Sequence, residues 1–112
     1  MEVVSPEWIE SELTAHRAIA QAWVSGEARP WNVAVIVAAP GASTTDVERA
    51  VRLANAGLPD YARVQRWLPA TAPFSGANGQ LTPNGRLRRD ALPGVYDPLL
   101  DRVYAEELHV VS

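Results

Sequence analysis

Asn32-Val33-Ala34-Val35-Ile36-Val37-Ala38 is the stretch on which the fold of this chain turns. Successive side chains of an extended backbone point to opposite faces, and here both faces are apolar. The stretch therefore predicts a central strand covered on both sides. Upstream, residues 19–24 alternate, with Ile19, Gln21 and Trp23 expected on one face and Ala20, Ala22 and Val24 on the other. Ser25-Gly26-Glu27-Ala28-Arg29-Pro30 between them reads as a turn, and so short a connection predicts an antiparallel pair. Earlier still, Ser5 is a good helix N-cap and Pro6 suits the first helical position, where its missing N–H costs nothing. Glu7 and Glu10 are expected near the positive end of that helix dipole. Trp8, Ile9 and Leu13 form its expected buried stripe, and it should fade near Ala15 and His16.

Downstream, Pro40-Gly41-Ala42-Ser43 reads as a loop. Thr45-Asp46-Val47-Glu48 has the form of a capping box, a hydroxyl followed three residues later by Glu. Val47, Ala50, Val51 and Ala54 continue at helical spacing, with Gly57 as the expected stop and Pro59 just beyond. A third strand is expected around residues 64–67, ended by Pro69 and Pro73. Residues 73–85 are turn-rich and contain Asn78-Gly79 and Asn84-Gly85. A last helix is expected over residues 96–107, with Leu99, Leu100, Val103, Tyr104 and Leu108 at helical spacing. The order helix, strand, strand, helix, strand, loop, helix predicts an α+β domain with a small mixed three-stranded sheet covered by helices.

The 112 residues fit one domain, residues 1–112, long enough to bury a core without staples. The chain has no Cys, which excludes disulfides, thiolate nucleophiles and Cys-based zinc sites. All ten basic residues are Arg, so chemistry that needs a Lys amine is excluded within the chain. The net charge of −3 argues against nucleic-acid binding. The longest apolar run, residues 33–39, is far short of the roughly 20 residues a membrane span needs. The first residues lack the basic start and apolar stretch of a signal peptide, so a cytoplasmic location is expected. His16 and His109 have no neighbouring Cys and read as surface or helix-end residues, and no metal site is expected.

Most templates of site chemistry fail on this chain. What remains is Leu81-Thr82-Pro83-Asn84-Gly85-Arg86-Leu87-Arg88-Arg89, a tight turn with a permissive Gly that presents a guanidinium, with more positive charge following. Such a loop suits a phosphate or a carboxylate. Its plain alternative is a surface turn with solvated Arg residues.

The surrounding chain weighs on that choice. Val4-Ser5-Pro6-Glu7-Trp8-Ile9-Glu10 resembles the opening of the C-terminal domain of the AMP-forming acyl-CoA synthetase and adenylation-domain superfamily. Residues 18–24 and 32–37 look like that family's next two strands. Thr82-Pro83-Asn84-Gly85-Arg86-Leu87-Arg88-Arg89 is similar to its closing motif, typically Thr-x-x-Gly-Lys-x-x-Arg. Pro73-Phe74, Asn78-Gly79-Gln80-Leu81-Thr82-Pro83 and residues 96–104 look most like the long-chain fatty acyl-CoA synthetase branch. The resemblance implies a mobile lid that closes over a large N-terminal ATP-binding domain for adenylation, then rotates to help thioester formation. It places ATP, coenzyme A and Mg with the complete enzyme, Mg on the other domain, and no cofactor on this chain alone. It also implies that the N-terminal adenylation domain is the partner, that the isolated domain is inactive, and that it self-associates through the surface that domain covers.

By the same resemblance Arg86 stands where the family has its catalytic Lys, which offsets the charge of two anions brought together. Thr82, Gly85 and Arg86 fall on the ATP/AMP side of the site. Arg89 is expected to anchor the loop, Gly85 to allow a backbone angle other residues avoid, and Thr82 to fix the loop by a side-chain hydrogen bond. Arg keeps the positive charge but is planar, forked and larger than Lys, so the adenylation role stands open against that of a free-standing, non-catalytic binding module. The four Trp residues are expected in the core or on a former interdomain surface.

Overall fold

The structure, a computed structural model, describes residues 5–25 and 31–111, with side chains described as far as residue 105. The turn expected within residues 26–30, the residues before Ser5 and the side chains of Leu108 and His109 lie outside that set. The elements run in the order α1 (Pro6–Thr14), β1 (Ile19–Ser25), β2 (Asn32–Ala38), α2 (Thr44–Ala56), a 3-10 turn (Asp60–Ala62), β3 (Val64–Pro69) and α3 (Leu92–Val111). They form two compact units divided after Pro73.

The first unit is built on β2. It is the middle strand of the sheet, antiparallel to β1 and parallel to β3. The parallel pair needs a crossover, which α2 supplies. Val33, Ala34, Val35 and Ile36 are all buried, as a strand apolar on both faces requires. Ala34 and Ile36 join Ile9, Leu13, Val47, Ala50, Val51, Ala54 and Val64 in one apolar cluster.

β1 corrects the expected alternation. Its pairing with β2 slips between Ile19 and Gln21, which face Ala38 and Val37. The extra residue, Ala20, shifts the parity of everything before it. Ile19 therefore lies in the same apolar cluster as Ala22 and Val24, not on the face of Gln21 and Trp23.

α1 buries Ile9 and Leu13 as expected, but Trp8 is 41% exposed. At about 100° per residue, Trp8 falls off the side that Ile9 and Leu13 share, whereas Glu10, three residues before Leu13, falls on it. Glu10 is buried, and its Oε2 accepts the backbone N–H of Val24 at 2.8 Å. Its carboxylate thus covers a donor on the outer edge of β1 in place of the expected role at the helix dipole.

The cap of α2 lies two residues before the expected Thr45. Ser43 is the N-cap, and the Asp46 N–H donates to its Oγ at 3.1 Å while the Ser43 N–H donates to Asp46 Oδ2 at 3.0 Å. A short Asp at the third helical position closes the reciprocal pair as well as Glu does. Gly57 ends the helix as expected, at φ −93°, without a left-handed residue. Asn55 then fixes the start of β3 through bonds in both directions with the Val64 backbone, each 2.9 Å. Arg63 Nε donates to the carbonyls of Asn55 and Leu58 near the end of α2, each at 3.0 Å.

In the second unit α3 starts four residues before expected, and Pro98 lies inside it. Leu92, Tyr96, Leu100 and Tyr104 are buried at intervals of four, while Leu99 and Val103 are half-buried. Phe74 meets the Tyr96 ring edge-on, with centroids 6.4 Å apart.

Candidate functional site

Residues 81–87 form a small hairpin, bridged in antiparallel fashion between Leu81 and Leu87. The Gly85 N–H donates to the Thr82 carbonyl at 2.9 Å, which closes a four-residue turn with Pro83 at its second position. The Thr82 N–H donates to the Arg86 carbonyl at 2.8 Å. Gly85 sits at φ +82°, the left-handed residue such a three-residue hairpin loop needs, and a Cβ there would be strained although the space is open. The Thr82 hydroxyl oxygen accepts the Arg86 N–H at 3.1 Å. The loop-fixing bond from Thr82 and the special angle at Gly85 are thus both present.

The turn carries Arg86 out into solvent. Among the described residues no hydrogen bond or ion pair engages its guanidinium. Its neighbours differ. Arg88 is tied to Asp90, with Nη2 to Oδ2 at 2.8 Å and Nε to Oδ1 at 3.4 Å. That bond holds the Asp90 carboxyl below the usual carboxylate range. Arg89 is half-buried and has bonded partners. The run of charge read from the sequence therefore resolves into one outward guanidinium, one internal ion pair and one tucked side chain. A single planar guanidinium at a rigid turn can hold a phosphate or carboxylate by paired bonds. Thr82 and Gly85 thus set the turn, and Arg86 supplies its outward charge.

Two further features lie before the hairpin. Asn78 Oδ1 accepts the N–H groups of Ser75 and Gln80, both at 3.1 Å, so the first Asn-Gly turn is fastened by its own side chain. Gln80 is buried, its carbonyl accepts the Arg88 N–H at 2.9 Å, and its Oε1 has no partner among the described residues. Sequence reasoning missed the burial of Gln80 and the Arg88–Asp90 pair. The acid two residues after Arg88 was the available signal for the second.

In the first unit His16 and Arg17 line an open cleft of about 430 Å³ with Asp46, Arg49 and Leu53. Among the described residues no group of three or more His, Asp or Glu side chains is placed to hold a metal ion. No described helix is long and apolar enough to cross a membrane.

Comparison with solved structures gives close likenesses of fold. The adenylation domain of carboxylic acid reductase from Segniliparus rugosus, in complex with AMP and a co-purified carboxylic acid, superposes with a TM-score of 0.82 at 23% identity. That match covers 94% of this chain and 18% of that one. Acyl-CoA synthetase from Brucella canis matches with a TM-score of 0.59 at 21% identity, over 94% of this chain and 18% of that one. An amide bond synthetase from Marinactinospora thermotolerans matches with a TM-score of 0.60 at 26% identity, over 80% and 17%. The chain thus spans less than a fifth of each of these proteins. No curated protein matches it significantly. A family model, that of the AMP-binding enzyme C-terminal domain, matches residues 2–108, and with nearly the whole length accounted for the chain belongs to that family.

Proposed function

We propose that this chain is the mobile C-terminal lid of an ATP-dependent, AMP-forming ligase that joins a carboxylic acid, here a fatty acid, to coenzyme A. The observation that carries the reading is Arg86, exposed directly after a turn that Thr82 and Gly85 hold in shape. Membership in the AMP-binding family and the likeness to a domain that holds AMP and a carboxylic acid support it. The fatty acid and the thiol acceptor rest on the resemblance of residues 73–83 and 96–104 to the long-chain branch.

In this reading ATP and the acid are held by the partner adenylation domain, and ATP supplies the adenylyl group. Lid closure brings the guanidinium of Arg86 to the oxygens of the carboxylate and the phosphate. Its charge opposes their mutual repulsion as they approach, an electrostatic role that needs no proton transfer. A preorganised turn matters because a donor that must first be ordered loses part of its effect. Rotation of the lid then presents another face for thioester formation. Without the partner domain the chain binds no ATP productively.

The experiment is ATP–pyrophosphate exchange in the complete enzyme. Arg86→Ala is expected to lower it about 10²–10³-fold, the usual loss on removing one electrostatic donor. Unchanged exchange would sink the reading. A second reading, a free-standing non-catalytic binding module derived from such a lid, draws on the Arg at the family's Lys position. An immunoblot of the native polypeptide separates the two, since a ligase gives a band several times larger than this domain and a module gives one of its own size.

A further inference from the structure

The chain contains two Asn-Gly pairs, Asn78-Gly79 and Asn84-Gly85, and the structure treats them differently. An Asn before Gly is prone to deamidation, because no Cβ shields the next backbone nitrogen from the Asn side chain. We propose that Asn84 is a site of spontaneous deamidation in the folded protein, and that Asn78 is protected.

Both glycine nitrogens are engaged alike, Gly79 N–H to the Gly76 carbonyl at 3.2 Å and Gly85 N–H to the Thr82 carbonyl at 2.9 Å. Both glycines have positive φ, 77° and 82°. The contrast lies in the carboxamides. Asn78 Oδ1 accepts two backbone N–H groups, from Ser75 and Gln80, and its own N–H donates to Ser75 Oγ at 3.2 Å. Its side chain must leave that arrangement before its carbonyl carbon can be attacked. Asn84 is exposed, and its carboxamide makes no hydrogen bond among the described residues.

The chemistry needs only water. Solvent base removes the Gly85 amide proton, and that nitrogen attacks Cγ of Asn84. The new C–N bond closes a five-membered succinimide as the carboxamide nitrogen leaves with a proton as ammonia. Water adds to one of the two ring carbonyls, opening the ring to aspartate or isoaspartate. The net change is Asn plus water to Asp or isoaspartate plus ammonia, and a new negative charge two residues from Arg86.

The test incubates the intact chain at mildly alkaline pH and physiological temperature, native and in urea, with sampling over time. Both sites fall in the tryptic peptide spanning residues 67–86, so tandem mass spectrometry assigns the added mass to one or the other. Two hydrogen bonds to break are expected to slow Asn78 about tenfold or more relative to Asn84 in the native chain. In urea the ratio is expected to collapse towards one. Equal native rates, a faster Asn78, or an Asn84 inert in the native chain while urea samples react would overturn the proposal. A native ratio that persists in urea would also overturn it, by assigning the difference to local sequence. Asn84→Gln is expected to abolish the faster native phase, and its persistence in that variant would place the reaction elsewhere.

Discussion

The two units hold their shape by different means. The first unit packs aliphatic side chains from two helices and three strands around β2, and its backbone follows from that burial. Residues 74–91 of the second carry no described helix or strand apart from a single bridge and are shaped by short-range bonds: Ser75 with Asn78, Thr82 with Gly85 and Arg86, Arg88 with Asp90. The candidate site is on the second kind of structure. Burial fixes a scaffold cheaply over many residues, whereas a turn held by its own side chains can put one charged group into solvent without a core beneath it.

The sharpest break of this comparison is Leu13→Ala. Leu13 is fully buried, and its truncation is expected to cost about 2–5 kcal/mol, read by urea unfolding followed through tryptophan fluorescence. A loss of only a few tenths would mean that burial is not what holds the first unit. Glu10→Leu tests the buried carboxyl group inside that scaffold. Leaving the Val24 N–H without its acceptor is expected to cost about 1–3 kcal/mol, and Glu10→Gln, which keeps a side-chain oxygen, should recover most of it. Equal losses for the two variants would assign the effect to packing.

Gly85→Ala addresses the hairpin. A side chain at φ +82° is expected to cost about 1–2 kcal/mol locally, seen as faster hydrogen exchange at the Thr82 N–H that bonds the Arg86 carbonyl. Unchanged exchange there would show that the turn does not depend on the glycine angle.

The smallest effect is the pH response of the α2 cap. The backbone N–H of Ser43, and next its side chain, hold the Asp46 carboxyl below its ordinary range. Because the native value is depressed, the cap's contribution is complete above the ordinary Asp range and disappears as pH falls through the lowered native value. An NMR titration should find Asp46 and the Ser43 amide moving together at that lower pH. A midpoint at or above the ordinary Asp value would break the account of the cap.

Much of the scaffold was legible because it follows from periodicity. Residues 32–38 are apolar on both faces and became the central strand, and Val47, Ala50, Val51 and Ala54 became the buried stripe of α2. The misses share a cause. Ala20 is a bulge, which a strict period of two cannot represent. Ser43 caps α2 in place of Thr45 because cap choice depends on which residue stays extended, and Thr44 and Thr45 are already helical. Trp8 reads as part of the buried stripe of α1 with Ile9 and Leu13, but its angle on the helix puts it outside.

For the site, the sequence by itself determined the turn and its chemistry. Thr82, Gly85 and Arg86 lie within five residues, and such short-range geometry follows from residue type: a hydroxyl to accept, a glycine to turn, a guanidinium to present. What only the tertiary structure decided is which charges are available. Arg86, Arg88 and Arg89 look alike in sequence, yet one points into solvent, one pairs with Asp90 and one is half-buried. It likewise put Glu10 beside Val24, fourteen residues away, because a buried carboxylate needs a donor and the open edge of β1 provides one.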